Sequence, residues 1–144
     1  MNLEELHKKL SGHLEQQMKN YSSFVYAQEK GFYQGFEEIG IEGCRPTEKR
    51  FERYKIEKYL SKDQIALDIG SNCGFLTIHI AKFVHSIDGV EINPFLVDIG
   101  RDTSEFLELK NVNFHSSSFE NFEVAKKYDM VFSLANDETI DGNT

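Results

Sequence analysis

The residues best suited to chemistry lie in one stretch, Ala66-Leu67-Asp68-Ile69-Gly70-Ser71-Asn72-Cys73-Gly74-Phe75, with a second acidic residue, Glu91, 21 positions after Gly70. An apolar run that ends in a carboxylate and then breaks into glycines reads as a strand handing over to a loop whose bare backbone can approach a ligand. A phosphate-binding G-x-x-x-x-G-K-[ST] loop is excluded, because Phe75 and Leu76 stand where Gly and Lys are needed. The dinucleotide spacing G-x-G-x-x-G also fails, at Asn72 and Phe75, which weakens a nicotinamide-dependent oxidoreductase. Asp68 would moreover repel a pyrophosphate. A ligand that lacks phosphates and carries positive charge fits better. A plain tight turn explains neither Asp68 nor the acidic Glu91.

These residues need a frame, and the hydrophobic pattern supplies one. After Lys62, apolar runs at 65–70, 86–92, 111–116 and 128–135 alternate with FLTIHIAKFV, PFLVDIGRDTSEFLELK and a shorter SFENFEVAKK. The pattern predicts β-α-β-α-β-α-β, hence an α/β fold: a Rossmann-like, doubly wound parallel sheet with right-handed crossovers and helices on both faces. Asn93 and Pro94 suit the cap and first position of the second crossover helix. Upstream, Leu3, Leu6, Leu10, Leu14, Met18 and Tyr21 draw one apolar stripe on a helix. A glycine-punctuated, aromatic connection runs from 21 to 43, and a second helix is expected from 47 to 60. The chain thus divides into an N-terminal helical extension or lid, 1–62, and an α/β domain, 63–144.

A chain of 144 residues, 40% hydrophobic and with 12 Phe, can bury one core plus an appendage. Its formal charge of −8 disfavours a nucleic-acid partner unless positive charge is clustered. The stretch Arg45–Lys62 is locally +4; contact with RNA is one reading of it, and the favoured reading is a solvated helix face with intrahelical pairs such as Glu52 with Lys55. No window resembles a membrane span, and Glu4 and Glu5 stand where a signal peptide would be basic then apolar, so the expected location is the cytoplasm. Cys44 and Cys73 are too few for a disulfide framework or an all-cysteine zinc site, and no metal is expected.

The run Leu67-Asp68-Ile69-Gly70-Ser71-Asn72-Cys73-Gly74, together with Gly89-Val90-Glu91-Ile92-Asn93, resembles the class I S-adenosylmethionine-dependent methyltransferases. The resemblance implies S-adenosylmethionine as cofactor. Asp68, Gly70, Ser71, Asn72 and Gly74 would wrap its methionine and ribose part, Glu91 would hold the ribose hydroxyls, and Ile92 would pack on adenine. After the third strand, Ser118 and Phe119 stand where the family often places an acidic residue near the adenine amine. Ser133 and Leu134 would face the methyl group. From the extension, Tyr33, Gln34 and Arg45 are expected to face the pocket, Arg45 suiting the cofactor's carboxylate.

A sulfonium is already an activated methyl donor, so such an enzyme aligns acceptor and leaving sulfur and needs no nucleophile of its own. Asp137, Glu138 and His115 are the candidates for a base. Asn136-Asp137-Glu138 differs from the Asn/Asp-Pro-Pro-Tyr signature of amino-group methyltransferases, so the expected acceptor is a small molecule or a sugar. A protein that holds the cofactor without catalysis is the alternative. The family's sheet has strand order 3-2-1-4-5-7-6, and four strands are found before Thr144. The chain is therefore expected to be truncated after strand four, with an apolar strand-four edge that a homodimer could cover.

Overall fold

The computed structural model describes residues 1–20 and 31–134. Helix α1 (Leu3–Asn20) starts in a reciprocal cap, with Asn2 Oδ1 accepting from Glu5 N at 2.8 Å and Glu5 Oε1 accepting from Asn2 N at 3.0 Å. Its buried face is Leu6, Leu10, Leu14 and Gln17; of the expected stripe, Leu3 is exposed, Met18 is half-buried and Tyr21 lies outside the described residues. Strands β1 (Gln34–Gly35) and β2 (Arg45–Pro46) pair in parallel, so the extension is not purely helical. Helix α2 (Thr47–Arg53) is shorter than expected: Lys55 adopts φ 52°, and the chain re-enters a 3-10 turn at Ile56–Tyr59. A left-handed residue cannot continue the helix, so good helix formers up to Leu60 do not yield one element.

The main sheet comprises β3 (Ile65–Ile69), β4 (Ser86–Glu91), β5 (Val112–Ser116) and β6 (Met130–Phe132), all parallel, in the order β5-β4-β3-β6. In sequence rank this is 3-2-1-4, the beginning of the expected order. Helix α3 (Phe75–Ala81) joins β3 to β4, and α4 (Pro94–Phe106) joins β4 to β5. Asn93 accepts from Phe95 N at 3.0 Å with Pro94 in the first turn, as its residue types predict. Both right-handed crossovers step in the same direction across the sheet, which puts α3 and α4 on one face. Helix α1 packs on α4, where Asp102 accepts from His13 at 2.6 Å, and α2 packs on α3.

The third crossover contains no helix: residues 117–129 run as turns and extended chain. Period-two alternation shows what this segment does. Asp68 bonds Thr77 of α3, so Asp88, which pairs opposite Leu67 one position earlier, points to the other face. There Tyr128 Oη donates to Asp88 at 2.7 Å and Lys126 Nζ lies 3.1 Å away, pinning the segment across the sheet. Val131, on that same face of β6, remains 55% exposed, whereas Phe132 is buried beneath α3's side. Strand four is thus buried on one face rather than on two. At the outer edge, Arg101 of α4 donates to the carbonyl of Phe114 at 2.8 Å, satisfying a backbone group that edge strand β5 leaves unpaired.

Candidate functional site

Strand β3 hands over to α3 through a loop in which Gly70 (φ 70°), Asn72 (φ 55°) and Gly74 (φ 83°) all take left-handed backbone. Gly70 N and Ser71 N both donate to Val90 O, at 2.8 and 3.0 Å, so the loop is clamped against the end of β4. Glu91 completes the clamp: one carboxylate oxygen accepts from Asn72 N at 2.8 Å and the other from Asn93 N at 3.0 Å. Each oxygen keeps lone-pair capacity for a further donor. Glu91 is 8% exposed, and burial raises its pKa above the ordinary carboxylate value.

These elements enclose a cleft of about 330 Å³ at the carboxyl ends of β3 and β4, lined by Gly70, Asn72, Glu91, Ile92, Ser118 and Phe119 among others. That is where an open parallel sheet binds its ligands. Ile92 (66% exposed) and Phe119 (47% exposed) offer apolar faces beside it. Six residues singled out in the sequence therefore meet in one place, although they come from three separate turns.

The remaining candidates lie elsewhere or do different work. Asp68 is 2% exposed beneath the loop, where one of its oxygens accepts from Thr77 Oγ1 at 2.7 Å. Burial drives its pKa up to about 7, against the opposing pull of the Thr77 hydrogen bond and the Arg50 guanidinium. Ser71 is fully buried. Gly74 has a packing reason: a Cβ there would come within 2.6 Å of the Phe114 ring, and Cβ atoms on Gly89 and Gly100 would also collide with it, at 2.9 Å. Three glycines form the slot that Phe114 fills. Gln34, on β1, is buried and accepts from Phe75 N at 2.9 Å, capping the first turn of α3. Tyr33 is buried and Arg45 half-buried, and neither lines the cleft. Ser133 is exposed beyond β6. His115 stands 3.5 Å from Asp88 on the opposite face of the sheet, beside a separate open cavity of about 830 Å³. Asp137 and Glu138 lie outside the described residues.

One residue missed by the sequence reading is Arg50. It is 3% exposed and donates to the carbonyl of Leu134 just after β6, in addition to its electrostatic contact with Asp68. The signal was there: Thr47, Arg50 and Phe51 share one helical face with the spacing of buried positions, but Arg50 also belongs to a run of charge that reads as solvated. Cys73 is buried, its thiol pushed up to about 12 by desolvation, which makes it packing rather than a nucleophile. His79 sits among Phe36, Phe51 and Phe83, with its pKa lowered by burial.

Residues 60–140 match a family described as "Methyltransferase domain". A curated relative, an rRNA adenine N-6-methyltransferase of Bacteroides fragilis, is 33% identical over 85 residues, covering 52% of this chain and 31% of that protein. The chain thus spans about a third of the length of that relative. Among solved structures, a dimethyladenosine transferase from Plasmodium falciparum superposes with a TM-score of 0.52 at 14% identity, covering 58% of this chain and 30% of that one. A methyltransferase from Thiobacillus denitrificans, solved with S-adenosyl-L-homocysteine, gives a TM-score of 0.51 at 16% identity over 58% and 34%. At such identities the structural likeness establishes the fold alone. The relative named for rRNA adenine overturns the expectation of a small-molecule or sugar acceptor with nucleic acid disfavoured. The physical fault lay in using whole-chain charge, because a polyanion meets a local surface and not an average. No helix among the described residues is long and apolar enough to cross a membrane.

Proposed function

Because the chain belongs to the methyltransferase-domain family, we propose that it binds S-adenosylmethionine in the cleft at Gly70, Asn72 and Glu91 and directs the methyl group to the exocyclic amine of an adenine in RNA. The observation that carries the cofactor's position is the pairing of a left-handed glycine loop with a buried carboxylate that is already hydrogen-bonded to it. Glu91 would accept from the ribose hydroxyls, Ile92 and Phe119 would pack against the adenine, and Ser118 would accept from its amine. Asp68 acts from below by holding Thr77 and the start of α3 in place. The cofactor supplies an electrophilic methyl on a sulfonium, and the protein aligns the acceptor nitrogen with it. An adenine amine loses its proton after methyl transfer, so solvent suffices as the final acceptor. The likeness to a protein named for rRNA adenine supports this acceptor over a metabolite.

Replacing Glu91 with Ala is expected to weaken S-adenosylmethionine binding by about 1.5–3 kcal/mol, roughly tenfold to a hundredfold, as read by calorimetry. Glu91→Gln, which keeps the shape and one acceptor oxygen, separates loss of the ribose contact from collapse of the loop. Unchanged affinity in both variants would rule out the ribose role. For the acceptor, the chain is incubated with radiolabelled cofactor and RNA, and the digested nucleosides are separated. Label in N6-methyladenosine is the expected result; label confined to other nucleosides or to metabolites overturns the acceptor.

A further inference from the structure

We propose that the exposed basic stripe on α2 and the 3-10 turn after it, formed by Lys49, Arg53, Lys55 and Lys58 beside Tyr59, is the docking surface for the single-stranded RNA that carries the acceptor adenine. This rests on the RNA acceptor argued above and names where the chain meets it.

Helix α2 buries Thr47, Arg50 and Phe51, which leaves Lys49 and Arg53 exposed, and the left-handed Lys55 carries the exposed run on to Lys58 and Tyr59. Among the described residues none of these four cations is in an ion pair, in contrast to Lys9, Lys82 and Lys126 elsewhere. Tyr59 is 54% exposed, and Lys58 Nζ lies 5.1 Å from its ring centroid. Cations interleaved with an open aromatic ring are what a single strand needs: phosphates meet the charges, and an unpaired base stacks on the ring. The contrast with the rest of the chain selects the partner. Residues 45–62 carry +4 with the buried Arg50 included and with Glu52 and Glu57 exposed among the cations, and the remainder carries −12, so a broad anionic surface such as a membrane would be repelled by most of the molecule. A thin strand can follow the stripe alone. Arg50, next to Lys49 in sequence, bonds the backbone just after β6, so α2 starts near the carboxyl end of the sheet, and the stripe runs from there to Tyr59, whose carbonyl accepts from Gln64 at the amino end of β3.

The test is fluorescence anisotropy with a labelled, adenine-containing oligoribonucleotide across a salt series. Arg53→Glu, Lys55→Glu and Lys58→Glu combined should lower affinity at least roughly tenfold and flatten the slope of log K against log salt by about two, the value for three lost phosphate contacts on a single strand. Lys8→Glu, Lys19→Glu and Lys110→Glu combined change the net charge equally at exposed positions elsewhere and should leave the slope unaltered. Tyr59→Ala should weaken binding several-fold with no change of slope. Circular dichroism verifies that each variant is folded. Equal losses in the two triple variants, or binding of the wild type to phosphatidylglycerol vesicles but not to RNA, would overturn the docking surface. The two proposals fail separately: RNA bound through the stripe without methyl on adenine removes the acceptor, and adenine methylated equally well by the stripe variant removes the stripe.

Discussion

Truncating Phe114 to Ala is expected to lower the free energy of unfolding by about 3–5 kcal/mol and to weaken cofactor binding with it. The ring is 5% exposed, and it occupies a slot built from the loop (Gly74), the neighbouring strand (Gly89) and helix α4 (Gly100). Removing it leaves a cavity toward which Gly74, Gly89 and Gly100 have no side chains to move. Gly74→Ala attacks the same contact from the other side: its Cβ would meet the ring at 2.6 Å from a backbone held at φ 83°. If the slot is the cause, Gly74→Ala combined with Phe114→Leu should cost clearly less than the two single effects added together, because the smaller side chain relieves the collision. Urea unfolding of the four proteins decides this. Strict additivity would show that Gly74 is needed for its backbone conformation alone.

The second large effect is a dependence of stability on pH that Asp68→Asn should remove. Asp68 ionises at about 7 in the folded chain, against 3.8 for an unperturbed aspartate. The folded state therefore holds a proton that the unfolded state has already released between those values, so the contribution of Asp68 to stability is greatest below about pH 4 and is lost as pH rises through 7. A shift of this size corresponds to a loss on the order of 4 kcal/mol across the window. Glu91 shifts in the same direction, so the informative quantity is the difference between wild type and Asp68→Asn at each pH. That difference should change steadily from pH 4 to pH 7 and level off beyond. A flat difference would mean that Asp68 is ionised in the folded chain throughout, with Arg50 outweighing burial.

The sequence by itself determined the frame and the cleft. The alternation of apolar runs placed β3, β4 and β5, the pair Asn93-Pro94 marked the start of α4, and the spacing from Gly70 to Glu91 brought loop and carboxylate to the same end of the sheet. These features are legible because each is local, and a right-handed βαβ unit converts separation along the chain into a fixed position in space. Tertiary structure alone decided the partners. Gly74 is small because of Phe114, 40 residues away in sequence; Gln34 caps α3 from 41 residues upstream; Arg50 is buried inside a run of charge; and Asp88 binds Tyr128 and Lys126 in a segment that then needs no helix. Composition and period describe which surface an element presents, but not what arrives to cover it. The positively charged stripe belongs to both sides of that division: its residues are plain in the sequence, and only the burial of Thr47, Arg50 and Phe51 separated the charges that face solvent from the one that supports the core.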